Sequence, residues 1–145
     1  MNTSVTPTSD TTQPQIHPEA AIHGAGVWRT RERLVAWQAR KLREYIDCHL
    51  ADPICNADLC ALIGLSKAYF ARSFKSTFGV PPHAFVVRRR LELAAKYMLQ
   101  TNAPLSDIAI QCGFADQPHM SKRFLAATGW TPAVWRRSNS TPAIG

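Results

Sequence analysis

One pattern occurs twice in this chain, and it limits the available folds more than any other feature. Leu59-Cys60-Ala61-Leu62-Ile63-Gly64-Leu65-Ser66, followed by Phe70, Phe74, Gly79 and Pro81, reappears as Ile108-Ala109-Ile110-Gln111-Cys112-Gly113-Phe114-Ala115-Asp116, followed by Met120, Phe124, Gly129 and Pro132. Each copy reads as a short helix with one apolar face, a glycine turn, and a longer helix closed by a second glycine. That is the outline of a helix-turn-helix, and its duplication predicts an all-α fold with two such units.

The units can be placed by periodicity and capping. Residues 1 to 28 are rich in Thr, Ser and Pro without apolar periodicity, so they are expected to form a flexible, disordered tail. Gly24-Ala25-Gly26 lacks both the strand and the third glycine of a dinucleotide loop and reads as linker. Val35, Ala39, Leu42, Ile46 and Leu50 recur at helical spacing and predict a first support helix from about Thr30 to Ala51, ended by Pro53. Asn56 is expected to cap the next helix, with Asp58 in its first turn and Leu59, Leu62 and Ile63 facing inward. Gly64 makes the turn, and Ser66 caps a helix ending at Thr77 or Phe78.

In that helix Phe70, Phe74 and Phe78 share one side and predict its anchorage. Lys67, Ala68, Ala71, Arg72 and Lys75 are left on the other, where a recognition helix carries the side chains that enter a major groove. Pro81-Pro82 opens a long helix to about Gln100 with Val87, Leu91, Ala94 and Met98 as its inner stripe and Arg88, Arg89 and Arg90 spread around it. Arg89 is expected to face phosphate. This helix would be a rigid spacer between two reading heads that must sit about 34 Å apart to read one face of B-DNA.

Ser106 is expected to cap the second support helix, whose Ile108, Ala109 and Cys112 pack inward. Asp116 would cap the second recognition helix, anchored by Met120 and Phe124 and presenting Gln117, Pro118, Ser121 and Lys122, with His119 and Arg123 at the flanks. Pro118 has no amide to donate, so this head should be the poorer reader. Pro132 starts a last helix in which Trp135 closes the lobe and Arg136-Arg137 meet phosphate. The expected organisation is therefore a tail at 1–28, a DNA-binding unit at 29–140 and a C-terminal tail at 138–145. Within the unit, a first lobe at 29–80 and a second at 102–137 flank the linker helix at 81–101.

Charge and chemistry narrow the function. The chain has 17 Lys and Arg against 10 Asp and Glu; residues 1–28 hold Asp10, Glu19 and no basic residue, so all 17 cations face only 8 acids in the rest. Such a surface favours double-stranded DNA over other partners. No segment approaches the roughly 18 apolar residues of a membrane span, so a cytoplasmic location and no membrane partner are expected. Cys48, Cys55, Cys60 and Cys112 form no CxxC pair and are expected to pack rather than bind metal, with a redox-responsive thiol as the alternative. No GxSxG, HExxH or phosphate-binding loop suggests an enzyme, and no cofactor is expected.

Taken in order, these residues resemble the DNA-binding domain of the AraC/XylS family of bacterial transcription regulators. The resemblance runs from about Leu34 to Arg137. Its most specific stretch is Asp107-Ile108-Ala109 through Gly113-Phe114-Ala115-Asp116-Gln117, then Phe124, Gly129, Thr131-Pro132 and Trp135-Arg136. Gly64-Leu65-Ser66, Tyr69-Phe70, Arg72, Phe74 and Gly79 match in the first half, while Met120 stands where an aromatic anchor is more usual. The resemblance implies about seven helices in two lobes and asymmetric sites read in two adjacent major grooves; RNA polymerase is a candidate further partner, and the oligomeric state stays open, with a monomer on DNA compatible with this reading. The family's base-reading places fall on Lys67, Ala68, Ala71, Arg72 and Lys75, and on Gln117, Pro118, His119, Ser121 and Lys122. Phosphate contacts are expected at Asn56, Ser66, Arg89, Ser106, Arg123 and Arg136. Many relatives carry a much longer N-terminal ligand-binding or dimerising domain where this chain has residues 1–28, so effector sensing is not expected of it; it reads either as a stand-alone regulator controlled by its abundance or as a shortened family member, with activation expected more than repression.

Overall fold

The computed structural model describes residues 32–140, which form seven helices. They are α1 (Ala36–Cys48), α2 (Asn56–Ile63), α3 (Lys67–Phe78), α4 (Pro82–Gln100), α5 (Leu105–Gln111), α6 (Gln117–Thr128) and α7 (Pro132–Asn139). The tail expected at residues 1–28 and most of the one at 138–145 lie outside the described residues; Ser138 and Asn139 still belong to α7.

Two apolar cores share the long helix. The first joins Leu42, Ile46 and Leu50 to Leu59, Ile63, Phe70 and Phe74, and receives Phe85 and Val86 from the N-terminal half of α4. The second gathers Ile108, Ala109, Cys112, Phe114, Met120 and Phe124 around Leu91, Ala94 and Met98 from the C-terminal half. The expected single stripe on α4 is therefore two: Leu91, Ala94 and Met98 are buried as anticipated, whereas Val87 is half-buried and Phe85 and Val86 face the first lobe. A helix serving two cores needs two faces, which a one-face reading of periodicity cannot supply.

The first helix is shorter than its periodicity suggests. Leu34, before α1, is buried, while Val35 is exposed and caps the helix with its amide donating to Gln38 Oε1 at 3.1 Å. At the other end the chain leaves the helix at His49, not Pro53. The His49 ring stacks on Tyr45 with centroids 4.0 Å apart, and its Nδ1 lies 2.7 Å from the Tyr45 carbonyl oxygen, which also accepts the His49 amide at 3.1 Å. Leu50 is buried beyond the helix end.

The lobes meet at one junction. Gly113 turns the chain between α5 and α6 at φ +90, and a Cβ there would stand 2.0 Å from the Leu50 carbonyl oxygen and 2.6 Å from Arg90 Nε. Arg90 in turn donates from Nε to the Leu50 carbonyl at 2.9 Å and from Nη2 to the Asp52 carbonyl at 2.7 Å. The end of the first support helix, the middle of the spacer and the turn of the second unit are thus fastened together. Only a glycine leaves room for that approach.

Candidate nucleic-acid interface

The two helix-turn-helix units are built alike from local chemistry. Ser66 Oγ accepts from the Tyr69 amide at 3.3 Å and Asp116 Oδ1 from the His119 amide at 2.8 Å, so each recognition helix starts on a side-chain cap. Gly79 and Gly129 end α3 and α6 in the left-handed region. Phe70, Phe74, Met120 and Phe124 are buried at 0–1% exposure and hold the inner faces. Phe78, expected in the core, is half-buried instead, with the Arg43 guanidinium 5.4 Å above its ring.

The support helices start differently from expectation. Cys55 and Pro104, both extended, occupy the N-cap positions of α2 and α5 without a side-chain cap, so Asn56 is the first residue of its helix and Ser106 the second. Both side chains are exposed, and neither caps.

On α3 the structure brings the expected residues to one exposed face: Lys67, Ala68, Ala71, Arg72 and Lys75 are all solvent-facing. On α6 Pro118, Lys122 and Arg123 are exposed, while Gln117 and Ser121 are half-buried. His119 departs from the reading face. Its Nδ1 accepts from the Ala115 amide at 3.2 Å and its ring meets Phe114 edge-on at 5.4 Å, so it braces the turn behind the helix start.

Two of the expected phosphate contacts are committed elsewhere. Arg89 donates from Nε and Nη2 to both oxygens of Asp47, at 2.8 and 2.9 Å, and from Nη1 to Glu92. The hydrogen bonds and charge of Asp47, with Glu92 adding to them, raise its pKa and cancel its positive field locally. Arg136 donates to the carbonyls of Met98, Thr101 and Ala103 at 3.1, 2.6 and 2.8 Å, locking α7 onto the end of α4. Three backbone oxygens that the helix end leaves open find their partners in one planar fork. Both guanidiniums are engaged within the protein. Arg90, likewise, is turned inward, and burial lowers its pKa.

The cysteines divide into two pairs. Cys60 and Cys112 are buried as expected, and Cys48 and Cys55 are exposed. Burial raises the Cys60 thiol pKa, with nearby Lys67 opposing, and pushes Cys112 up to about 11 despite Arg90. Among the described residues no cluster of His, Cys, Asp and Glu could hold a metal, and no helix is long and apolar enough to cross a membrane.

Sequence reasoning missed one residue at the interface itself. Glu32, just before α1, accepts a hydrogen bond from Arg72 Nε at 2.7 Å and forms an ion pair with it. The partners are 40 residues apart, and nothing in the local pattern links them.

The comparisons with known proteins agree with this architecture. A family model described as a helix-turn-helix domain matches residues 59–138, spanning α4 and both recognition helices. The chain belongs to the AraC/XylS family. It is 38% identical over 92 residues to the probable transcriptional regulator LumQ of Photobacterium leiognathi, a match covering 63% of this chain and 37% of LumQ. The C-terminal domain of AraT, a response regulator from Geobacillus stearothermophilus, superposes with a TM-score of 0.70 at 25% identity, covering 76% of this chain and 92% of that domain. The DNA-binding domain of AdpA, solved in complex with a target DNA, shares the fold at a TM-score of 0.66 and 23% identity, over 70% of this chain and 90% of that one. The chain spans less than half the length of the curated relatives it matches. The AraC/XylS assignment accounts for the duplicated unit, for the all-α fold and for the long helix between the lobes.

Proposed function

We infer that this AraC/XylS-family chain is a sequence-specific DNA-binding transcription regulator that reads two adjacent major grooves with α3 and α6. The observation that carries this reading is the exposed face of α3, where Lys67, Arg72 and Lys75 stand opposite buried Phe70 and Phe74 on a helix capped at its entering end. Arg72 is the base reader, because a guanidinium can donate twice to O6 and N7 of guanine, a contact that discriminates by about 1–3 kcal/mol. Ala68 and Ala71 offer methyl contacts, as to thymine. Lys67, Lys75, Lys122 and Arg123, which have no ion-pair partner among the described residues, supply the attraction to phosphate.

The second head holds more than it reads, since Pro118 cannot donate, His119 is turned to Phe114, and Gln117 and Ser121 are half-buried. Residues 29–140 act as the DNA-binding unit. The relatives' printed roles in transcription support regulation as the outcome, with activation through RNA polymerase as the expected mode. A thiol switch on this scaffold would have to start at exposed Cys48 or Cys55, since Cys60 and Cys112 are buried.

Selection of bound duplexes from a random pool tests the reading. The selected sites should contain two elements about 10–10.5 base pairs apart, the first including a guanine whose preference disappears with Arg72→Ala. A pool that emerges unenriched, or an enriched guanine that survives the substitution, would refute it.

A further inference from the structure

The contact between Glu32 and Arg72 uses only one edge of the guanidinium. Nε donates to Glu32 Oε1 at 2.7 Å, while Nη1 and Nη2 make no hydrogen bond among the described residues. Those two nitrogens are the pair that a guanine edge accepts end-on. The acid is itself firmly placed. Its side chain is 15% exposed against 56% for Arg72. Two residues on, Leu34 is buried and its amide donates to Thr77 Oγ1 at 2.8 Å, while the same hydroxyl donates to the Ser73 carbonyl. The segment carrying Glu32 is thus pinned to the helix that carries Arg72.

We propose that Glu32 is a positioning residue for specificity: it fixes the Arg72 guanidinium through Nε and leaves the Nη edge aimed outward for a single guanine. This rests on the reading of Arg72 as a base contact and adds to it a cause for its selectivity. A free arginine on a helix surface samples many rotamers and pairs as readily with phosphate as with a base. Held at Nε, it loses less freedom on meeting the base, and its partly neutralised charge gives it less to gain from phosphate. A carboxylate this close to the interface also repels the DNA backbone. The contact therefore favours discrimination at the expense of general affinity.

The test uses the full chain and fluorescence anisotropy on the selected site, on duplexes with the guanine replaced by each other base, and on a random duplex. Arg72→Ala should abolish the preference at that position. Glu32→Ala should weaken the same preference about two- to twelve-fold, the factor expected from no longer immobilising one long side chain, with random-duplex affinity unchanged or higher. Glu32→Gln, whose amide oxygen can still accept from Nε, should fall between, and adding Glu32→Ala to Arg72→Ala should change the base preference no further.

Thermal unfolding of each variant separates a lost fold from a lost contact, and Glu32→Gln, nearly the same shape, keeps the test available if Glu32→Ala is unstable. Flattening by Arg72→Ala with full preference retained in both Glu32 variants overturns the proposal while leaving the base contact standing. Tighter binding to the selected site by Glu32→Ala, with preference intact, overturns it in favour of an inhibitory contact that DNA must break. Preference unmoved by Arg72→Ala removes the underlying reading instead.

Discussion

Two arginines with the same sequence-level description do unlike things. Arg72 and Arg136 both lie on short helices of a cationic chain, yet one points its terminal nitrogens outward and the other closes three carbonyls of the preceding loop and helix end. Arg136→Ala should destabilise the protein by about 2–4 kcal/mol, because charged hydrogen bonds are lost and the oxygens they served lose their partner. Arg136→Lys should recover little, since an ammonium cannot span the fork. Urea unfolding gives the stability, and the salt dependence of DNA binding by the folded fraction should be the wild-type one. A slope reduced by about one unit would return Arg136 to the phosphate backbone. Here lies the limit of what the sequence discloses. Ser66 and Asp116 were legible as caps because the amides they accept from lie three residues away. The partners of Arg72, Arg89, Arg90 and Arg136 lie 33 to 42 residues away, apart from Glu92, and only folding brings them near.

Elements were legible where one face is buried and unclear where two are. The periodicity of α3 and α6 named their anchors because each helix packs against a single core. The spacer α4 divides its apolar residues between two lobes, so its stripe was only half readable, and α1 was overextended because Leu34 and Leu50 are buried from outside the helix. The turn glycines show the same distinction. Gly113, Gly79 and Gly129 all have positive φ, but a Cβ at Gly79 or Gly129 meets nothing within 4 Å, whereas at Gly113 it meets Leu50 and Arg90. Gly129→Ala should therefore cost about 1–2 kcal/mol from the left-handed backbone alone. Gly113→Ala should cost well over about 3 kcal/mol, since the lobe junction must open to admit it. Equal losses in parallel denaturant titrations would mean that the junction yields freely and does not set how the lobes meet.

At the scale of the molecule, the proposed function depends on two heads kept in fixed relation. A helix of 19 residues is about 28 Å long, short of the 34 Å helical repeat of DNA by an amount that the recognition helices' own offsets can span. Its stiffness is reinforced at mid-length, where Arg90 holds the carbonyls of Leu50 and Asp52 beside Gly113. Flexible joints would let either head find its groove independently; a braced helix demands that both grooves present themselves together. This difference is measurable on the DNA, with the protein unaltered. Inserting about 5 base pairs between the two elements of the selected site turns the second element to the far face, and affinity should fall to that of the first element alone. Inserting a full turn of about 10 base pairs restores the face but doubles the distance, and a braced spacer should gain nothing from it. Recovery at the longer insertion would mean that the lobes move apart on DNA, and that the junction at Gly113 opens when both heads engage.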